Sequence, residues 1–170
     1  MKKFLFTIIF ISLSASCFAA GSDSSSSSGG GNGGNDASQT SLYDEAVSLV
    51  KRAGKLEKKE KIEKAKKLYS KAFSKLEKAY SKDQKNPDIL NYLGYTARKT
   101  GNFNEAEKFY LKGLSIKPNH NGINEYLGEL YVQTNRIDKA NERLEILKSC
   151  NCKEYGELEL IIKTRGAKVY

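Results

Sequence analysis

Tryptophan is absent, histidine occurs once and proline twice in this chain of 170 residues. A single histidine, His120, leaves most general-base schemes without their usual residue. No His-Glu-x-x-His or Gly-x-Ser-x-Gly is present, and the Gly29-Gly30-Gly31 triplet lacks both the Gly-Lys-Ser/Thr of a phosphate loop and a flanking strand and helix. Cysteine is limited to Cys17, Cys150 and Cys152, with no spacing to His120 that suits a four-ligand zinc centre. These absences point away from catalysis, cofactors and metals. Scarce proline, and glycine concentrated near the N-terminus, leave a body rich in Lys, Glu, Leu, Ala and Tyr, which favours an all-α fold.

The first twenty residues have the layout of a secretory signal peptide. Lys2 and Lys3 precede a short apolar run, Phe4 to Leu13, and small residues follow up to Ala20. The run is too short to span a membrane comfortably. Cleavage near Ala19 or Ala20 predicts a periplasmic or secreted protein; lipidation at Cys17 is the alternative, with Ser14 where an aliphatic residue is expected. The whole chain carries +9, and loss of Lys2 and Lys3 leaves +7. Such a basic protein has an affinity for anionic envelope surfaces or acidic partners; export removes nucleic acid from its reach. Residues 21–41 are dominated by Ser, Gly and Asn and predict a disordered tether of roughly 25 Å average span.

From Leu42 the pattern turns helical. Leu42, Ala46, Leu49, Val50, Ala53 and Leu56 form a stripe at three-four spacing. Glu57-Lys58-Lys59-Glu60-Lys61 interrupts it, and it resumes from Ile62 to Tyr80. One long helix or two both satisfy this pattern. Further on, the chain repeats itself at 34 residues: Tyr92-Leu93-Gly94 matches Tyr126-Leu127-Gly128, Gly101 matches Asn135, Phe103 matches Ile137, Ala106 matches Ala140 and Tyr110 matches Leu144. Stepping back the same distance sets Tyr69, Ala72, Leu76 and Ala79 against Phe103, Ala106, Tyr110 and Gly113.

Leu93, Gly94, Ala97, Gly101, Phe103, Ala106, Tyr110 and Pro118 together resemble the tetratricopeptide repeat, more specifically that of small exported bacterial members of the family. The resemblance implies a right-handed α-solenoid of about three helix hairpins with capping helices at both ends. The expected organisation is a signal peptide at 1–20, a tether at 21–41, N-terminal helices with a degenerate repeat at 42–86, repeats at 87–120 and 121–154, and a C-terminal capping helix and tail at 155–170. Tyr155, Leu158, Ile161 and Ile162 supply the cap's apolar stripe. Gly94 and Gly128 are expected at close helix contacts.

The resemblance also implies a scaffold that binds an unidentified protein partner in a concave groove. Asn91, Tyr95, Arg98 and Lys99 from one helix and Glu125, Glu129, Val132 and Gln133 from the next would line it. Arg98 and Lys99 facing Glu125 and Glu129 would equally pair among themselves. Two glutamates at these positions repel a carboxylate, so a clamp for a C-terminal carboxylate is not expected. Cys150 and Cys152 remain open as buried thiols, a disulfide, a redox pair or half a metal site; thiol redox or metal handling, and binding to a basic-protein-seeking envelope surface, are the competing functions. His120, in Pro118-Asn119-His120-Asn121-Gly122, is expected as a solvated turn residue.

Overall fold

The computed structural model describes residues 36–166. The residues read as a signal peptide, and those read as a tether up to residue 35, lie outside the described residues. Among the described residues there are seven helices and no strand: α1 (Asp36–Glu57), α2 (Ile62–Tyr80), α3 (Pro87–Lys99), α4 (Phe103–Ile116), α5 (Asn121–Gln133), α6 (Ile137–Leu147) and α7 (Lys153–Lys163). The fold is all-α, a helical-repeat solenoid. α1 starts at Asp36, inside the segment read as tether. No glycine or proline stands between Asp36 and Gly54, so helix can propagate back from the Leu42 stripe.

The stretch from Glu57 to Lys61 is a turn, so residues 42–82 form two helices. The same turn stands in all three hairpins. A residue with positive φ ends each first helix: Glu60 (φ 57°), Gly101 (φ 91°) and Asn135 (φ 58°). The next residue's N–H donates back to a carbonyl five residues earlier: Lys61 to Leu56, Asn102 to Ala97 and Arg136 to Tyr131, at 2.9, 2.9 and 2.7 Å. This bond satisfies a carbonyl that the helix end would leave bare. Two residues after each left-handed position the second helix begins, at Ile62, Phe103 and Ile137.

These turns correct the register of the first unit. Gly101 and Asn135 are 34 residues apart, but Glu60 and Gly101 are 41 apart. Ile62, Ala65, Tyr69 and Ala72 therefore stand where Phe103, Ala106, Tyr110 and Gly113 stand in the next hairpin. The 34-residue step had placed Tyr69, Ala72, Leu76 and Ala79 there. A slip of seven residues is nearly two helical turns and leaves the apolar stripe on the same face, so periodicity cannot detect it. Nor is the first helix of that unit irregular. It is α1, and by the same 41-residue step the fully buried Ala53 stands where Gly94 stands.

The core follows from large side chains seated over small ones. A Cβ on Gly94 would lie 2.6 Å from Tyr110 Cδ1, whereas one on Gly54 would meet nothing nearer than the Tyr69 hydroxyl, at an ordinary contact distance of 4.0 Å. Tyr69, Tyr110, Leu76, Leu90, Leu93 and Ala106 are fully buried. Gly128 has a different partner from Gly94: a Cβ there would meet Leu158 Cδ2 of α7 at 2.6 Å. Leu144 occupies the place of Tyr110, and the capping helix fills the space that a ring fills one hairpin earlier. α7 packs on α5 and α6 with Leu158 and Ile161 buried, as its stripe predicted. Cys150 and Cys152, in the turn before α7, are joined by a disulfide.

Capping fixes where α3 and α5 start. Asn86 Oδ1 accepts from the N–H groups of Asp88 and Ile89 at 3.0 and 3.3 Å, with Pro87 opening α3. His120 does the same for α5, which corrects its reading as a solvated turn residue. Its Nδ1 accepts from the Ile123 N–H at 3.2 Å, and its Nε2 lies 3.0 Å from Asp88 Oδ1. With Nδ1 accepting, the proton of the neutral ring sits on Nε2 and is donated to Asp88. One imidazole thus caps α5 and ties it to the start of α3. Replacing His120 with Ala should cost about 1 kcal/mol in urea unfolding, and Asn, which keeps a capping oxygen, should recover most of it.

Candidate functional site

The first helices of the three hairpins, α1, α3 and α5, lie along one side of the stack, and their small residues let aromatic and charged side chains project between them. Tyr69 and Tyr95 meet edge-on with ring centroids 5.9 Å apart, and Tyr95 lies 4.9 Å from Tyr126. The Arg98 guanidinium sits 5.4 Å from the Tyr95 centroid and 5.7 Å from that of Tyr126. Lys99 Nζ lies 5.8 Å from the Tyr69 ring and 5.7 Å from that of Tyr95. Cations over aromatic faces are held by the ring quadrupole, each contact contributing about 0.5–1 kcal/mol or more when dry.

Each cation also has its own carboxylate. Arg98 Nη1 pairs with Glu129 Oε2 at 2.7 Å, with side chains only 3% and 9% exposed. Lys99 Nζ pairs with Glu57 Oε2 at 2.8 Å, and the same oxygen accepts from the Tyr69 hydroxyl at 2.9 Å. Burial, the largest single influence, would pull the Arg98 pKa down, but the Glu129 carboxylate together with Tyr110 and Tyr95 outweighs it and pushes it up. Burial raises the pKa of Tyr69, with Tyr95 and Glu57 adding to it. Tyr126 is raised by burial and then by Glu125. Tyr110 is raised by burial, partly offset by Arg98.

This cluster floors a cavity of about 670 Å³ lined by Gly54, Glu57, Lys58, Ile62, Tyr95, Arg98, Lys99, Tyr126 and Glu129. Ile62, at its lip, is 45% exposed. Of the eight residues that the sequence assigned to a groove, Tyr95, Arg98, Lys99 and Glu129 come together here. Asn91 and Glu125 line a separate hollow of about 440 Å³ at the starting ends of α3 and α5, with Tyr43, Tyr92 and His120. Val132 is buried beside Gly166, and Gln133 is exposed at the end of α5. The pairing of Arg98 with Glu129 across neighbouring helices is the self-neutralising arrangement that the sequence left open.

Sequence reasoning missed Glu57, Lys58 and Ile62, because the turn that carries them was read as an interruption of the stripe. Their signal was present: a lone apolar residue directly after a charged run, two residues beyond a turn. Tyr126, half-buried, also faces the cavity.

The family profile described as "Tetratricopeptide repeat" matches residues 87–120, which is the hairpin of α3 and α4. Among solved structures, the chain is similar to the type III secretion chaperone SycD of Yersinia enterocolitica in complex with a peptide of the translocator YopD. That likeness has 17% identity, covers 79% of this chain and 94% of the other, and has a TM-score of 0.51. A second SycD structure, an alternative dimer, is similar over 79% of this chain and 93% of its own, again at 17% identity and a TM-score of 0.51. At this identity the likeness concerns the fold. Among curated proteins nothing matches significantly by sequence.

Two outcomes follow from the buried cluster. Glu129→Gln leaves Arg98 charged and dry, so it should cost about 3–5 kcal/mol, whereas the double variant Arg98→Met with Glu129→Leu should recover most of that loss in urea titrations. In the alkaline range, Tyr69, Tyr110 and Tyr126 should resist ionisation in absorbance titrations, while unfolded tyrosines ionise near 10. The folded state then holds more protons than the unfolded state. The stability contributed by these rings is complete below pH 10 and declines as pH rises beyond it.

Proposed function

We propose that this tetratricopeptide-repeat chain is a non-enzymatic interaction scaffold that holds a segment of another protein in the cavity between α1, α3 and α5. The observation that carries this reading is the cavity itself: a concave site of about 670 Å³ with a tyrosine floor and an exposed apolar lip. Its volume lies within the range of ligand-binding clefts, and aromatic anchoring residues are the usual centres of binding energy. The fold supports the same class of ligand, since the similar chaperone SycD has been solved with a peptide of its translocator.

The cavity's charges narrow the segment's chemistry. Arg98 is committed to Glu129 and Lys99 to Glu57, so the floor presents ring faces rather than net charge. Lys58 is exposed at the rim. A segment with an apolar or aromatic anchor to lay on Tyr95, Tyr126 and Ile62, and an acidic residue near Lys58, fits this surface. The layout of residues 1–20 supports work in the bacterial envelope, periplasmic or secreted, after cleavage near Ala19 or Ala20.

Peptides selected from a random library against the full chain test the site. Binders should lose about 2 kcal/mol, some thirtyfold in affinity, with Tyr126→Ala, and should also weaken with Ile62→Glu at the exposed lip. Binders indifferent to both substitutions, with the variants folded by circular dichroism, would remove the cavity from consideration.

A further inference from the structure

The charge of this chain is unevenly placed. Residues 42–86 carry fourteen Lys and Arg against seven Asp and Glu, while residues 87–170 carry thirteen against eleven. The surplus therefore belongs to the hairpin of α1 and α2. On α2, Lys64, Lys67, Lys71, Ser74 and Lys78 recur at three-four spacing and are all exposed, so they share one outward stripe. Lys64 to Lys78 spans about 21 Å along the helix. None of these four lysines forms an ion pair among the described residues.

Beside the stripe runs a shallow groove of about 500 Å³ lined by Leu49, Ser70, Lys71, Ser74, Lys75 and Lys78. α1 continues the face. Glu45 is bonded to Lys75 across the two helices, and Arg52 and Lys55, exposed, lie two to three turns further along the same side of α1. Glu45 lies within this face, its carboxyl held below the usual range by the Lys75 bond and charge, and the exposed acids Asp44 and Glu77 stand at its edges. Glu63 borders the stripe and is taken up by Lys66 at 3.3 Å.

We propose that the outer face of the α1–α2 hairpin is a docking surface for an anionic phospholipid surface. Cations distributed over two antiparallel helices make an area rather than a line, which fits a plane of headgroups better than a single extended chain. Lysine ammoniums and serine hydroxyls are donors for phosphodiester oxygens. The stripe and its groove carry no aromatic ring, so they offer no stacking platform for the bases of a nucleic acid. The face is separate from the cavity, whose lining shares none of these residues.

The test is sedimentation of the full chain with vesicles of phosphatidylcholine containing phosphatidylglycerol. Lys64, Lys67, Lys71 and Lys78 are changed together to Gln in one variant, and Lys108, Lys117, Lys148 and Lys163 in a second of equal net charge. Each lysine near an anionic surface contributes about fivefold, so the first variant should bind at least about a hundredfold more weakly, and the second should change only a few-fold. Wild-type binding should also fall steeply as salt is raised. Equal losses in both variants would reduce the effect to net charge and overturn the proposal. So would undiminished binding of the first variant, or displacement of wild type from vesicles by soluble polyglutamate of equal charge, which would assign the face to an acidic chain. Because residues 1–41 are the same in every variant, any contribution they make cancels.

Discussion

The stack depends on a steric constraint repeated at successive helix crossings: one helix must be bare where the other brings a large side chain. Tyr110 lies against Gly94, Ile123 against Gly113 and Leu158 against Gly128. In each case a methyl group in place of hydrogen would overlap the neighbour, and interiors packed at crystal density have no slack to absorb it. Everything on the groove side is a consequence. With α3 and α4 closely seated, α3 is held where Tyr95, Arg98 and Lys99 emerge beside Tyr126 and Glu129. The site is positioned by hydrogen atoms that are not carbon atoms.

The same constraint explains what the sequence disclosed. Gly94 and Gly128 stand out because a glycine in the middle of a helix has no local reason to exist. The cap at α7 was visible because Tyr155, Leu158, Ile161 and Ile162 share a face at three-four spacing. The first unit was legible as helix but not in register, because a seven-residue slip preserves the side that faces inward. Only the left-handed residue, Glu60, marks the turn, and glutamate is not a residue that announces positive φ. His120 was hidden for a related reason. Its neighbours Pro118, Asn119 and Gly122 describe a turn correctly, but capping is decided by where the next helix starts. The internal pairing of Arg98 with Glu129 was foreseen as an option and could not be chosen from spacing, since it depends on which rotamers the tyrosines leave free.

The two candidate surfaces differ in kind. The cavity is electrically closed: its cations rest on rings and face their own carboxylates, so its discrimination comes from shape and desolvation. Buried pairs of this type contribute little net stability against apolar replacements, yet they fix a single arrangement and penalise any ligand that would split them. The outer face of the first hairpin is the reverse, with exposed cations on mobile stems. It selects by field rather than by fit, and it is sensitive to ionic strength where the cavity is not.

The disulfide between Cys150 and Cys152 closes so short a ring that it removes little freedom from the unfolded chain. Its significance lies instead in what comes after it. Among the described residues α7 covers the bare side of α5 at Gly128, and the ring sits at the joint from which α7 departs. In a stack where each element touches only its neighbours, the last member has one side to hold it and is the first to fray. A stiff joint there governs how far the end plate can swing, and so whether the seam over Gly128 stays shut against water.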